Sequence, residues 1–161
     1  MFKFSITVAA SALLAAPLTS LAGDADAARA LVERGRYLVK IAGCNDCHTP
    51  GYAMSDGKVA ESEWLTGDRL GWKGPWGTTY PPNLRLFFAR TTESQWLKTA
   101  RNADFRPPMP SPSLRSMSDE DLRALYHYVR TLAPAGEAAP GYVPPEQPAV
   151  GPVVLFPMPP G

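Results

Sequence analysis

Apolar residues recur at spacings of three and four in three stretches of the chain, and this period predicts three amphipathic helices. The first is expected over residues 26–42, with Gly43 ending it, and the second over residues 93–101. The third begins after Ser118 and ends before Pro134. No stretch between them alternates apolar and polar residues as a strand would. The pattern therefore predicts a small all-α fold with long loops.

Capping residues support two of these helices. Thr92 and Gln95 have the spacing of a capping box at the start of the second helix. Ser118 is a favourable N-cap for the third, and residues 119–121 are all acidic, which suits the positive end of the helix dipole. Residues 49–90 are rich in Gly, Pro and Trp instead, and they are predicted to form long loops.

The first 22 residues have the layout of a cleaved secretory signal peptide. Lys3 precedes residues 4–18, which are apolar or small, and small residues lead to a cleavage site after about Ala22. An uncleaved anchor is less favoured, because the run is shorter than the ~20 residues of a membrane-spanning helix. The chain is therefore expected to be exported to the periplasm, with no transmembrane segment in the mature chain.

The remainder divides into a domain and a tail. Residues 23–133 are expected to form the domain, and residues 134–161 a C-terminal tail that contains nine prolines. The prolines favour an extended chain over a helix. Residues 150–156 are nevertheless too apolar for a free linker, so this run is expected to lie on the domain or on a partner.

The balance of charge bears on the class of partner. Loss of Lys3 with the signal peptide leaves 15 basic and 15 acidic residues, a formal net charge of zero. This balance gives no support for binding to nucleic acid or to an anionic membrane surface.

The residues that indicate chemistry come directly after the first helix. They are Cys44-Asn45-Asp46-Cys47-His48, which has the C-x-x-C-H spacing of covalent haem attachment. Two thiols on one helical turn can reach the two vinyl groups on one edge of the porphyrin. The adjacent His48 can then place its imidazole under the iron. The sequence predicts one covalently bound haem c.

Other interpretations of these cysteines explain less. A structural zinc site needs four ligands, and only His127 could join Cys44, Cys47 and His48. A thioredoxin-like redox pair needs a βαβ context, which the pattern lacks. A simple disulfide would leave His48 without a role.

A second axial ligand to the iron is expected among the methionines. Met54 follows the histidine too closely to cross to the opposite haem face, and Met158 lies in the tail. Met109 lies between prolines, in Pro107-Pro108-Met109-Pro110, and these restrict its backbone at low entropic cost. It is favoured over Met117, which can pack as core filler instead.

The order of these motifs resembles that of the class I monohaem cytochromes c. Gly35-Arg36-Tyr37 precedes the haem motif, the Met109-Pro110 loop follows it, and the third helix comes last. The chain also resembles the cytochrome modules of bacterial membrane-bound alcohol and sugar-acid dehydrogenases. That likeness rests on Gly74-Pro75-Trp76-Gly77-Thr78-Thr79-Tyr80 and Pro82-Asn83-Leu84, and it covers about residues 30–133.

The resemblance implies a class I cytochrome c-like helical fold around one haem, held by Cys44 and Cys47, with His48 and Met109 as axial iron ligands. It also implies that Gly35 and Tyr37 pack against the last helix. We therefore expect the first and third helices to cross at Gly35, which lets the two backbones approach, with Tyr37 and Tyr126 packed nearby.

The function implied by the resemblance is electron transfer by a protein that is not itself an enzyme. Its partners would be redox proteins, either a dehydrogenase or a terminal oxidase or reductase. A cytochrome subunit of a periplasmic dehydrogenase complex is one alternative. A haem enzyme or sensor with an open iron site is a less favoured one.

The chain departs from that family at several points. The dehydrogenase subunits usually carry three haem modules, whereas this chain has one haem motif. Arg85 stands where the family usually has Thr. Position 60 is Ala60, where a proline commonly accepts the ring N–H of the axial histidine, so the acceptor is expected to be Pro50 or a loop carbonyl.

Some nearby side chains have two open roles. An indole N–H of Trp72 or Trp76, or the Arg69 guanidinium, could hold a haem propionate, and core packing explains the two tryptophans equally well.

Overall fold

The fold is given by a computed structural model that describes residues 19–157, with side chains described from residue 23. Most of the predicted signal peptide and Met158 lie outside the described residues. The helices in chain order are α1 (Thr19–Ile41), α2 (Cys44–His48), two 3-10 turns (Ala53–Ser55 and Glu61–Glu63), α3 (Leu84–Ala89), α4 (Glu93–Asn102), α5 (Ser111–Ser116) and α6 (Asp119–Thr131). The strands are β1 (Gly71–Gly74), β2 (Gly77–Thr79) and β3 (Val153–Leu155).

The three predicted helices are present as α1, α4 and α6. The capping box of α4 is formed, since the Thr92 side chain accepts from the Gln95 N–H and the Gln95 side chain accepts from the Thr92 N–H. The Ser118 hydroxyl accepts from the Asp121 N–H at 3.0 Å at the start of α6. These caps confirm that local sequence signals determine where both helices begin.

Helices α1 and α6 cross at Gly35, as expected. A Cβ atom at this position would lie 2.0 Å from the Ala124 carbonyl oxygen and 2.6 Å from the Tyr128 Cβ. The expectation that Tyr37 packs here is wrong, since Tyr37 is 52% exposed and Tyr128 fills the crossing instead. The reason is helical geometry: two residues along an α-helix turn the side chain by about 200°, to the opposite face.

A polar cluster ties this crossing to the loop after α2. The Glu61 carboxylate accepts from the Arg36 guanidinium at 2.8 Å and from the Tyr128 hydroxyl at 2.7 Å. Arg36 comes from α1 and Tyr128 from α6, so a single carboxylate joins three segments. These hydrogen bonds hold the pKa of Glu61 below its usual range, the Arg36 guanidinium contributing most.

The prediction of an all-α fold is correct for most elements but missed a three-stranded sheet of order β2-β1-β3. Strand β1 pairs antiparallel with β2, with Trp72 opposite Thr79, and parallel with β3, with Trp72 opposite Val154. Strands of three or four residues are too short to give an alternating pattern. In addition, β3 comes from the proline-rich tail.

The apolar run of the tail lies on the domain. Phe156 packs against Trp72 and Trp76, with ring centroids 5.9 Å and 5.1 Å apart. The Tyr80 hydroxyl donates to the Val150 carbonyl at 3.0 Å and accepts from the Val150 N–H at 2.7 Å. The tail is thus an extended strap across the hairpin β1–β2.

The helical turn expected at the haem motif is present as α2, whereas helices α3 and α5 were not predicted. Each of these two has six residues, fewer than a 3.6-residue period needs to be recognised. Within residues 19–157, no helix has the length and apolar character of a membrane-spanning segment.

Candidate functional site

Helix α2 brings three of the predicted site residues together. Cys44, Cys47 and His48 lie on a single short helix that follows α1 after a sharp turn. Gly43 makes the turn in the left-handed region, at φ 69°, which is unfavourable for residues with a Cβ. The turn places both thiols and the imidazole within about one helical turn of each other.

Two buried polar residues anchor this helix. Asn45 and Thr49 are each 1% exposed, and the Thr49 hydroxyl donates to the Asn45 side-chain oxygen at 2.8 Å. The same hydroxyl accepts from the Leu65 N–H at 2.8 Å, and the His48 carbonyl accepts from the Gly67 N–H at 2.8 Å. The Thr49 hydroxyl and the His48 carbonyl therefore fix the helix to the loop at residues 65–67, and Asn45 orients the hydroxyl.

The imidazole of His48 has a defined orientation. The ring is buried, and its Nδ1 lies 2.8 Å from the Pro82 carbonyl oxygen. Because a carbonyl can only accept, Nδ1 carries the hydrogen and Nε2 has a free lone pair. Burial lowers the pKa of His48, although the hydrogen bond to Pro82 opposes the shift, and the lowered pKa favours the neutral form of the ring.

The acceptor is thus the loop carbonyl of Pro82 and not Pro50. The backbone around Pro82 is held on both sides, because the Pro81 carbonyl accepts from the Asp68 N–H at 3.1 Å and the Leu65 carbonyl accepts from the Leu84 N–H at 3.0 Å. This carbonyl lies 34 residues after the histidine. A separation of that size carries no local sequence signal.

Asn83 follows this acceptor in the chain, and both polar atoms of its side-chain amide form hydrogen bonds. Its oxygen accepts from the Leu86 N–H at 3.0 Å and caps α3. Its nitrogen donates to the carbonyls of Ala135 and Glu137 at 2.8 and 3.1 Å. Asn83 therefore joins the support of the histidine to the start of the tail, a role that the sequence alone did not reveal.

Arg85 has a structural role that was also missed. It is 7% exposed, and its guanidinium donates to the Ser62 and Ala133 carbonyls at 2.7 and 2.6 Å and to the Leu132 carbonyl. Burial lowers the pKa of Arg85. The cation lies where the carbonyls at the end of α6 are unsatisfied, which is favourable for a helix C-terminus.

The environment of the two thiols favours their protonated form. Burial raises the pKa of Cys44 to about 11, and burial also raises the pKa of Cys47. A dithiol redox centre has a lowered thiol pKa, so this environment argues against that alternative. Within residues 19–157, no three His, Cys, Asp or Glu side chains form a group that could hold a metal ion.

Met109 lies on a different segment, in the loop between α4 and α5. It is partly buried and packs against the hydrophobic core. Its N–H donates to the Arg106 carbonyl at 3.3 Å, and its carbonyl accepts from the Ser111 N–H at 2.9 Å. Met117, the C-cap of α5, is also partly buried against the core.

A spare donor lies in the hairpin β1–β2. The Trp64 and Trp96 indoles donate to the Val59 and Leu122 carbonyls, so both have a packing role. The buried Trp76 Nε1, by contrast, has no hydrogen-bond partner among the residues that the structure describes. An orphaned N–H of this kind suits an acceptor such as a carboxylate. With two free thiols and an imidazole with a free Nε2, the residues present fit a covalently held haem.

Comparison with known proteins agrees with this chemistry. The chain is 32% identical over 136 residues, 78% of its length, to the cytochrome c subunit of a quinone alcohol dehydrogenase from Gluconacetobacter polyoxogenes. It is 31% identical over 126 residues, 71% of its length, to the gluconate 2-dehydrogenase cytochrome c subunit of Pantoea cypripedii. It is 29% identical over 113 residues, 66% of its length, to the fructose dehydrogenase cytochrome subunit of Gluconobacter japonicus.

The chain is therefore similar to the cytochrome c subunits of bacterial dehydrogenases, which confirms the resemblance inferred from its motifs. It spans about a quarter of the length of these relatives, 26%, 26% and 22% respectively. No family model matches the chain, and no solved structure matches it significantly.

Proposed function

We propose that this chain is an electron-transfer cytochrome c that carries one covalently attached haem. Cys44 and Cys47 would form the two thioether bonds, and His48 and Met109 would be the axial ligands. The observation that carries the proposal is the orientation of the buried His48, whose Nδ1 faces the Pro82 carbonyl and whose Nε2 is free.

When bound, the haem would supply an iron that alternates between two oxidation states. The residues of the chain would hold the axial ligands in place, so that the change of oxidation state requires little structural rearrangement. The Pro82 carbonyl fixes the tautomer and the direction of the His48 ring. A thioether ligand such as Met109 favours the reduced iron and raises the potential.

We further propose that the chain functions in the periplasm with a dehydrogenase as a redox partner. The signal-like residues 1–22 and the names of the relatives support this, since those proteins are dehydrogenase subunits. The chain itself would transfer electrons and would not convert a substrate.

The test is the optical spectrum of the purified holo-protein and of two methionine variants. We expect Met109→Ala to abolish the weak sulfur-to-iron absorption band and to lower the reduction potential, because a thioether ligand is lost. Met117→Ala, a matched control from the same core, should retain both properties. The reverse pattern would exclude Met109 as the ligand.

Covalent attachment is tested separately. The mass of the intact holo-protein under denaturing conditions should include one haem, and Cys44→Ala with Cys47→Ala should release it. A denatured wild-type chain without the added mass would refute a c-type cytochrome.

A further inference from the structure

The loop that carries Met109 is held from two directions. On one side it is fixed to the helices, because the Phe105 N–H donates to the Ser111 hydroxyl at 2.9 Å and the Arg115 guanidinium donates to the Ala103 carbonyl at 3.1 Å. On the other side, the Thr79 hydroxyl at the end of β2 donates to the Pro107 carbonyl at 2.6 Å. The second attachment depends on the hairpin β1–β2 staying in place.

The tail holds that hairpin through Tyr142 and Val143. The Tyr142 hydroxyl donates to the Trp76 carbonyl at 2.8 Å. The Thr78 N–H donates to the Val143 carbonyl at 2.7 Å, and the Val143 N–H donates to the Thr78 carbonyl at 2.9 Å. Gly77 permits this approach, since a Cβ there would lie 2.4 Å from the Val143 carbonyl oxygen.

The tail also contacts the Met109 loop directly. The Arg106 guanidinium lies over the Tyr142 ring, 3.8 Å from its centroid, a favourable cation–π geometry. Arg106 and Met109 belong to one turn of chain, because the Met109 N–H donates to the Arg106 carbonyl at 3.3 Å. Only Pro107 and Pro108 separate the two residues, so a displacement of Arg106 is passed to the methionine through proline-restricted backbone.

We propose that Tyr142 is a positioning residue for Met109. Its ring holds Arg106 while its hydroxyl holds the hairpin, so the tail closes over the loop and slows the departure of the thioether from the iron. The proposal rests on the proposed function, with Met109 as the axial ligand. It assigns the tail a role in ligand exchange that neither the haem motif nor the similarity to dehydrogenase subunits implies.

The test uses the full-length oxidised holo-protein and imidazole as a competing ligand. At saturating imidazole, the rate of capture is limited by the loss of Met109. We expect Tyr142→Ala to raise this limiting rate roughly five- to tenfold, since one cation–π contact and one hydrogen bond are removed. Arg106→Met should also raise it, and Tyr142→Phe, which retains the ring, should raise it less.

Two comparisons separate positioning from general destabilisation. Tyr37→Ala removes an exposed tyrosine whose ring also faces an arginine, 5.8 Å from Arg34, and should leave the rate unchanged. The effects of Tyr142→Ala and Arg106→Met should be partly non-additive in the double variant, because both remove the same contact between ring and guanidinium, and fully additive effects would contradict the proposal.

The outcomes distinguish this proposal from the proposed function. If wild type shows the sulfur-to-iron band, Met109→Ala loses it, and neither Tyr142→Ala nor Arg106→Met changes the capture rate, the tail does not position the ligand although the ligand assignment stands. A lowered unfolding temperature with an unchanged capture rate has the same meaning. If Met109→Ala retains the band, the ligand assignment fails and this proposal fails with it.

Discussion

Gly35→Ala should destabilise the protein by about 2 kcal/mol, although alanine is the better helix former. The new Cβ would lie 2.0 Å from the Ala124 carbonyl oxygen, whereas a carbon–oxygen contact is normally about 3.3–3.6 Å. The obstacle is backbone, which cannot rotate away, so α1 and α6 must separate. Overpacking of this kind costs about 1–3 kcal/mol, and the severity of the clash favours the upper end of this range. The higher helix propensity of alanine offsets about 1 kcal/mol of that cost, which leaves a net loss of about 2 kcal/mol.

The assay is thermal and urea unfolding of the holo-protein at neutral pH, followed by circular dichroism. A loss of this size should lower the melting temperature by roughly 5–8 °C. Glu33→Ala introduces the same residue on the exposed face of α1 and should change the stability by no more than about 0.5 kcal/mol. If Gly35→Ala is as stable as wild type or more stable, helix propensity dominates and the close approach of the two helices is refuted.

Two further predictions concern the supports of the site. Glu61→Gln should cost about 1 kcal/mol at neutral pH. Because the folded pKa of Glu61 is lowered, its stabilisation is present above the unfolded pKa of about 4.3 and is lost as the pH falls through the folded value. Urea midpoints of wild type and Glu61→Gln should therefore converge on acidification, whereas Glu63→Gln, a change of an exposed side chain in the same turn, should match wild type at neutral pH. Asn83→Ala should cost about 2 kcal/mol, since it removes a helix cap and leaves two carbonyls without their donor. Asn102→Ala removes a single exposed bond to the Lys98 carbonyl, and an equal loss in both variants would contradict this role for Asn83.

Local signals in the sequence predicted the parts of the fold that depend on near neighbours. The capping residues Thr92 and Ser118 begin their helices as expected, and the haem motif lies on one helical turn. Gly35 was expected at the helix crossing because only a small residue lets two backbones approach so closely. In each case the determining contacts lie within one helix or depend on a single residue type.

The parts that could not be predicted depend on distant contacts. Pro82 supports His48 through its backbone carbonyl, and a carbonyl has no residue-specific signal. Strand β3 forms by pairing with β1, and its three residues lie within a proline-rich tail whose sequence has no strand pattern of its own. The position that the family resemblance implied for Tyr37 is wrong, because the residue lies on the face of α1 opposite Gly35.

The position of β3 has a consequence for self-association. An open strand edge offers unpaired N–H and carbonyl groups to any extended chain nearby, and proteins usually cover such edges. Here β3 covers one edge of β1, in register from Gly71 to Lys73. A chain shortened before the tail would expose this edge of β1. It would also remove Phe156, which packs against the rings of Trp72 and Trp76. The tail of a second copy has the matching sequence, so the shortened domain would be a template for strand exchange between molecules.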